Sequence, residues 1–341
     1  MSTNQELLRY SIQSNWYQCD EFYIYDDFNH KQYNCKHENT QYVVDTDLFT
    51  IEQILTSDNS PTDSKYLYSG SEETITQYES PNKILNTIKG HSFETTSVRY
   101  LPSGQVILSG GYDHKVNIWS IKGTLARSMS GSTGRITCLD YIHEGKQVIG
   151  GNSNGDIHIY ECKRGISLST LSTIPYINNY NTSIVNCITS CHYMGNDTDS
   201  SSNLVVCSSK YGIFSWDITS EDNIFSINKG FIPSVSAFNN TLVYIQNGSI
   251  YIHDLRNIEN PISIITPSTT ELTKVIALND SEYLCGEIDG SIYVVSIKNN
   301  IPHITTFLSA CQYSINDLNY KNKKLNNIMA SSKSELALFT L

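Results

Sequence analysis

Short apolar runs with two-residue alternation, cut by turn signals, recur along most of the chain. The sharpest example is Gly90 to Trp119. Ser97 to Leu101 and Val106 to Ser109 are apolar runs separated by Pro102-Ser103-Gly104, a turn signal. Val116, Ile118 and Ile121 then alternate with polar residues around Trp119, the pattern of a half-buried strand. Runs this short, bounded by Gly, Pro, Asn and Asp, predict strands.

The same unit can be counted. Asp113 precedes Trp119 by six residues, and the interval recurs from Glu72 to Tyr78, Asn154 to Tyr160, Lys210 to Trp216, Asn247 to His253, Asp289 to Val295 and Lys333 to Phe339. The turn positions 72, 113, 154, 210, 247, 289 and 333 are 41, 41, 56, 37, 42 and 44 residues apart. Gly155, Gly248 and Gly290 follow the turn residue, as a tight hairpin requires. Gly90 to Trp119, with its Gly-His opening, resembles one Trp-Asp (WD) repeat, the unit of a β-propeller blade. The resemblance implies an all-β fold, a seven-bladed WD-repeat β-propeller. It also implies a structural tetrad of His91, Ser109, Asp113 and Trp119, since a buried indole N–H and a buried carboxylate both need partners. Only the second unit keeps all four residues; the others are expected to rely on packing.

Residues 1–45 do not fit the repeat. They are aromatic and acidic, and are expected to form a small β appendage or N-terminal subdomain before a propeller over 46–341. Asp20, Glu21, Asp26 and Asp27 match no calcium-loop spacing and read as a solvated acidic face. The last unit stops at its third strand, Leu336 to Leu341, so Gln41 to Val44 is expected to supply the fourth and close the last blade. The 56-residue interval contains two polar stretches, Ile174 to Ser183 and Met194 to Asn203, expected as surface insertions, the second disordered.

Charge narrows the partner class. With 23 basic and 34 acidic residues the formal charge is −11, which disfavours nucleic acid and favours a basic protein partner. No run of 18 apolar residues and no apolar leader is visible, so neither a membrane span nor secretion is expected. Nine cysteines, most in apolar strand-like runs (Cys138, Cys187, Cys207, Cys285), read as reduced small hydrophobes. Cys187 with Cys191-His192 is at most half a zinc site, and no phosphate loop, nucleophile with its base, or metal cluster has usable spacing. No enzyme activity, cofactor or metal is expected. A propeller works through its loops. In a WD propeller, one face carries the loops before the first strand and between the second and third strands. On that column Glu72, Glu73, Glu94, Tyr112, Asp156, Glu287 and Asp289 form an expected acidic partner-binding arc, interrupted by Lys210 and Lys333.

A narrower resemblance covers the whole chain and is specific in residues 90 to 165. The strings LPSG, LSGG and IWS, then His143-Glu144-Gly145 at the next blade's last turn, are similar to the central blades of the proteasomal ATPase-associated factor family. Ile12-Gln13-Ser14 with Trp16 looks like that family's beginning, and His253-Asp254-Leu255-Arg256 sits where it has an Asp-x-Arg. The departures are the missing Trp in units one, three, five, six and seven. The resemblance implies an assembly chaperone of the proteasome regulatory particle. Such a factor binds the C-terminal domain of one proteasomal ATPase subunit and releases it once the ATPase ring joins the core. The chain would then act as a monomer in the cytoplasm and also the nucleus. The alternative is a substrate receptor or adaptor of a cullin-type ubiquitin ligase. Its Trp-Asp-x-Arg signature is matched in part by residues 253–256, with His for Trp.

Overall fold

The computed structural model describes residues 21–26, 31–36, 54–63, 65–70, 73–79, 83–177, 188–196, 199–267, 271–298, 301–309, 313–321, 327–332 and 336–340. Among the described residues, twenty-nine strands form seven antiparallel sheets. Helical structure among the described residues is limited to two single 3-10 turns, His143–Gly145 and Ile174–Tyr176. No helix there is long and apolar enough to cross a membrane.

Strands β1 (Glu21–Asp26) and β2 (Lys31–Lys36) form a hairpin. Four sheets of four strands follow in chain order. They are β3 (Ile54–Asn59), β4 (Lys65–Gly70), β5 (Thr74–Glu79) and β6 (Lys83–Lys89); then β7 (Thr95–Tyr100), β8 (Val106–Gly111), β9 (Val116–Ser120) and β10 (Leu125–Met129). The third is β11 (Ile136–Ile142), β12 (Gln147–Asn152), β13 (Asp156–Glu161) and β14 (Ile166–Ser172); the fourth is β15 (Ile188–Asn196), β16 (Asp199–Ser209), β17 (Ile213–Asp217) and β18 (Asn223–Ile227). These sixteen strands make one compact unit, to within single residues at strand ends.

A second unit holds the remaining sheets and the β1–β2 hairpin. The fifth sheet is β19 (Val235–Phe238), β20 (Thr241–Gln246), β21 (Ser249–Asp254) and β22 (Ser263–Pro267). The sixth is β23 (Leu272–Ala277), β24 (Glu282–Glu287), β25 (Ser291–Lys298) and β26 (Ile301–Ser309), and the seventh shows three strands, β27 (Asp317–Lys321), β28 (Asn327–Ser331) and β29 (Leu336–Thr340). The hairpin lies on the outer edge of the fifth sheet, with Ile24, Tyr25 and Asp26 of β1 opposite Pro267, Thr266 and Ile265 of β22. Residues 41–44, expected on the last blade, lie outside the described residues.

The second sheet shows how the pattern builds the core. Its register pairs Ile107 with Trp119, Leu108 with Ile118 and Ser109 with Asn117. Successive side chains point to opposite faces. Ile107 and Trp119 therefore pack with Leu67, Ile75 and Ile88 of the first sheet, while Leu108, Val116 and Ile118 pack with Ile136, Leu139, Val148 and Tyr160 of the third. Alternation suggested a half-buried strand, but β9 is buried on both faces because a sheet stands on either side of it. The facing polar positions, Ser109 of β8 and Asn117 of β9, are buried too. Each large apolar side chain buried this way contributes roughly 1.5–3 kcal/mol. The third and fourth sheets repeat the arrangement through Ile149, Ile157, Phe214 and Trp216. In the second unit, Val243, Ile250 and Ile252 of the fifth sheet meet Val275, Tyr283 and Tyr293 of the sixth.

Turns follow the sequence closely. Asn247 and Gly248 both have positive φ (49° and 75°), a two-residue hairpin loop between Gln246 and Ser249. One expectation fails. The described residues of Met194 to Asn203, 194–196 and 199–203, are not unstructured: they belong to β15 and β16, which pair Met194 with Leu204 and Asn196 with Asp199. Ladder hydrogen bonds come from the backbone, so a polar sequence can prolong a hairpin whose base is fixed by the core. Cys138, Cys207 and Cys285 are buried in strands, and burial pushes the Cys207 and Cys285 thiols well up.

Candidate functional site

The four tetrad residues form one hydrogen-bonded chain. The Trp119 indole N–H donates to Ser109 Oγ at 2.8 Å, and Ser109 Oγ lies 2.7 Å from His91 Nε2. His91 Nδ1 lies 2.8 Å from Asp113 Oδ1. A carboxylate only accepts, so His91 donates from Nδ1 and takes the serine proton's hydrogen bond at Nε2. Every donor then has an acceptor. Gly90 is needed for the same packing: a Cβ there would stand 1.8 Å from the Trp119 ring.

Asp113 does more than end the chain. Its carboxylate also accepts the amides of Ser92 (3.3 Å) and Lys115 (3.3 Å), and the Tyr112 amide bonds the Glu94 carbonyl at 2.9 Å. The buried tetrad thereby fixes the loop 90–94 against the turn 112–115. On that fixed surface stand Phe93, 60% exposed, half-exposed Glu94 and half-exposed Tyr112. The Arg135 guanidinium lies over the Tyr112 ring at 4.5 Å, a cation–π contact. Phe93 and Arg135 were not singled out from sequence. Phe93 stood inside the Gly-His string, and the Arg135 contact joins loops 23 residues apart.

The other expected contacts fall out unevenly. Glu73 is exposed immediately before β5, and Asp156 is half-buried. Glu72 lies outside the described residues. Asp289 is exposed and caps its own turn by accepting the Ser291 amide at 2.9 Å. Glu287 must be withdrawn from the surface: it ends β24 with 0% exposure, while its backbone carbonyl accepts the amides of Gly290 and Ile315. The turn column counted along the sequence took in a strand end as well as turn residues, and Glu287 is the last residue of β24, which is buried on both faces. The structure joins Glu94 and Tyr112 directly, and shows no bond from Glu73 or Asp156 to them among the described residues.

Degenerate units replace the tetrad rather than merely losing it. In the fifth sheet His253 pairs with Leu242, as Trp119 pairs with Ile107, so Tyr244 occupies the serine position. The Tyr244 hydroxyl lies 3.2 Å from His253 Nε2, and His253 Nδ1 donates to the Ile258 carbonyl at 3.1 Å. In the third sheet the two positions are Tyr160 and Gly150, and the link is gone. His158 bonds Asn152 (3.3 Å) and Thr170 (3.0 Å) instead. In the fifth-sheet motif at 253–256, His253 is buried and structural, and Arg256 grips Asp254 through Nε at 2.9 Å and Nη2 at 2.5 Å. That grip lowers the Asp254 carboxyl to about 2. Among the described residues no group of three or more His, Cys, Asp or Glu is placed to hold a metal ion.

Comparison with known proteins agrees with this geometry. Residues 82–120 match the family model "WD domain, G-beta repeat". Over 77 residues, 22% of this chain, the sequence is 35% identical to pre-mRNA-processing factor 19 of Mus musculus and of Rattus norvegicus. That match spans only 15% of the length of those relatives. The solved structure of U3-55K superposes with a TM-score of 0.72 at 12% identity, covering 86% of this chain and 98% of that one. The chain has the fold of a WD-repeat β-propeller built from seven sheets.

Proposed function

We propose that the chain is a non-catalytic protein-binding scaffold that chaperones assembly of the proteasome regulatory particle in the cytoplasm and nucleus. It would do so by holding the C-terminal domain of one proteasomal ATPase subunit. The observation that carries the binding role is the second-sheet surface. An exposed apolar anchor, Phe93, stands beside Glu94 on a loop fixed from beneath by Asp113. An aromatic anchor on a rigid support, with acids beside it, suits a basic partner of a chain carrying −11. The choice of partner rests on the resemblance of residues 90–165 to the ATPase-associated factors. The test is a pull-down of the full chain against the isolated C-terminal domain of each proteasomal ATPase, at low and high salt. One domain should be retained at low salt, and Glu73→Lys with Glu94→Lys should weaken it and flatten the salt dependence. Retention of none, or an affinity unmoved by the charge reversal, would defeat the reading.

A further inference from the structure

A second exposed patch in the same unit has the opposite character. It is assembled from three loop segments. The 3-10 turn after β14 contributes Ile174, Pro175 and Tyr176; the β16–β17 turn contributes Lys210; the loop after β18 contributes Lys229 and Phe231. All six are exposed, Phe231 at 57%.

Hydrogen bonds bring these segments together. Asn228 Nδ2 donates to the Tyr176 carbonyl at 3.1 Å, the Gly230 amide donates to the Tyr211 carbonyl at 3.2 Å, and the Ile232 amide to the Ser209 carbonyl at 3.0 Å. The Tyr176 ring meets the buried Trp216 edge-on at 6.2 Å. The aromatic groups are thus held outward by a fixed frame, and little ordering is left to oppose binding.

Charge distinguishes this patch from the rest of an acidic protein. Residues 173–187, 209–212 and 228–232 contain no Asp or Glu. The third-sheet turn that Thr173 bonds, through the Gly155 carbonyl at 3.0 Å, brings Asp156 to the margin.

We propose that this patch is a docking surface for an acidic peptide segment carrying an apolar anchor. The anchor would rest on Phe231 and Tyr176, and a carboxylate would meet the exposed Lys210. A short acidic segment senses charges only within about 8–10 Å at ordinary salt, so the acid-free loops it touches, rather than the net charge of −11, govern its docking. A long nucleic acid would meet the acids as well. This surface is separate from Phe93 and Glu94 and does not depend on the ATPase reading.

The test uses fluorescence anisotropy with the full chain. The probe is a labelled twelve-residue peptide of aspartates and glutamates with one central phenylalanine and one leucine. Phe231→Ala should weaken binding about tenfold or more, Lys210→Glu several-fold, and added salt should weaken it further. Glu94→Lys should leave it unchanged. The urea midpoint of each variant checks folding. If Phe231→Ala proves unfolded, a benzophenone-bearing peptide should crosslink the parent protein within 174–176 or 228–231. Binding unaffected by both patch variants, crosslinks confined elsewhere, equal affinity for a peptide with lysine at every acidic position, or tighter binding of a single-stranded RNA twelve-mer would each overturn the proposal.

Discussion

Removing a single hydroxyl tests whether the tetrad holds its blade together. In Ser109→Ala the Trp119 indole N–H loses its acceptor and His91 Nε2 loses its donor, both in a buried site. An orphaned buried polar atom costs about 1–3 kcal/mol. The two losses are not equal. Asn117 Nδ2 already lies 3.4 Å from His91 Nε2 and can close part of that gap, whereas Ser109 Oγ is the acceptor on which the indole N–H depends. Ser109→Ala should therefore destabilise by about 2–4 kcal/mol. The matched control is Tyr160→Phe. The Tyr160 hydroxyl is equally buried but meets no hydrogen-bonding partner among the described residues. Its removal should leave stability within about 0.5 kcal/mol of the parent, or raise it. A cycle sharpens the assignment: in a Trp119→Phe background the orphaned N–H no longer exists, so Ser109→Ala should cost less by about 1–2 kcal/mol. Urea unfolding followed by far-UV circular dichroism measures all four variants. Equal effects of Ser109→Ala and Tyr160→Phe, or no coupling to Trp119, would refute the idea that hydrogen bonding, rather than shape, is what these positions supply.

Two further outcomes follow from the same packing. Gly90→Ala places a methyl inside the Trp119 ring, so it should lower stability by about 1–3 kcal/mol, and the cost should shrink in Trp119→Ala; a neutral Gly90→Ala would contradict the close approach. Burial holds His158 below its usual pKa, with Asp156 opposing, so the unfolded chain takes up its proton first. Stability from this group is present above about pH 6.5 and is lost as pH falls, by at most about 1.4 kcal/mol per pH unit. His158→Gln should flatten the urea-midpoint profile between about pH 6.5 and 5, and an unchanged slope would assign the loss to other groups.

What could be read from the sequence was whatever a local spacing expresses. The six-residue interval from Asp113 to Trp119, the Gly-His opening and the Asn247-Gly248 turn are each contained within one hairpin or one loop, so the seven units and the tetrad were legible. Other features depend on cross-strand register or on distant partners. Tyr244 and His253 meet only because Leu242 faces His253 across the ladder, and neither residue type is the one expected there. Glu287 looked like Asp289, yet Glu287 is the last residue of a strand buried on both faces, with 0% exposure, while Asp289 lies past the strand end in an exposed turn. The stacking of Arg135 on Tyr112 joins two neighbouring sheets and leaves no trace in either sheet's own pattern. Charge was legible as a sum but not as a map: a net of −11 conceals the acid-free loops around Lys210 and Lys229.

The β1–β2 hairpin on the fifth sheet has a meaning in time. Asp26 pairs with Ile265, so about 240 residues must be made between the two halves of that ladder. At roughly 5–20 residues per second, the hairpin leaves the ribosome on the order of 10–50 s before its partner exists. The four sheets from β3 to β18 lie between them and can form during that wait. The last act of folding for the fifth sheet is then the return of the oldest strand to one of the younger ones, a step whose delay is set by translation rather than by the chain's own search.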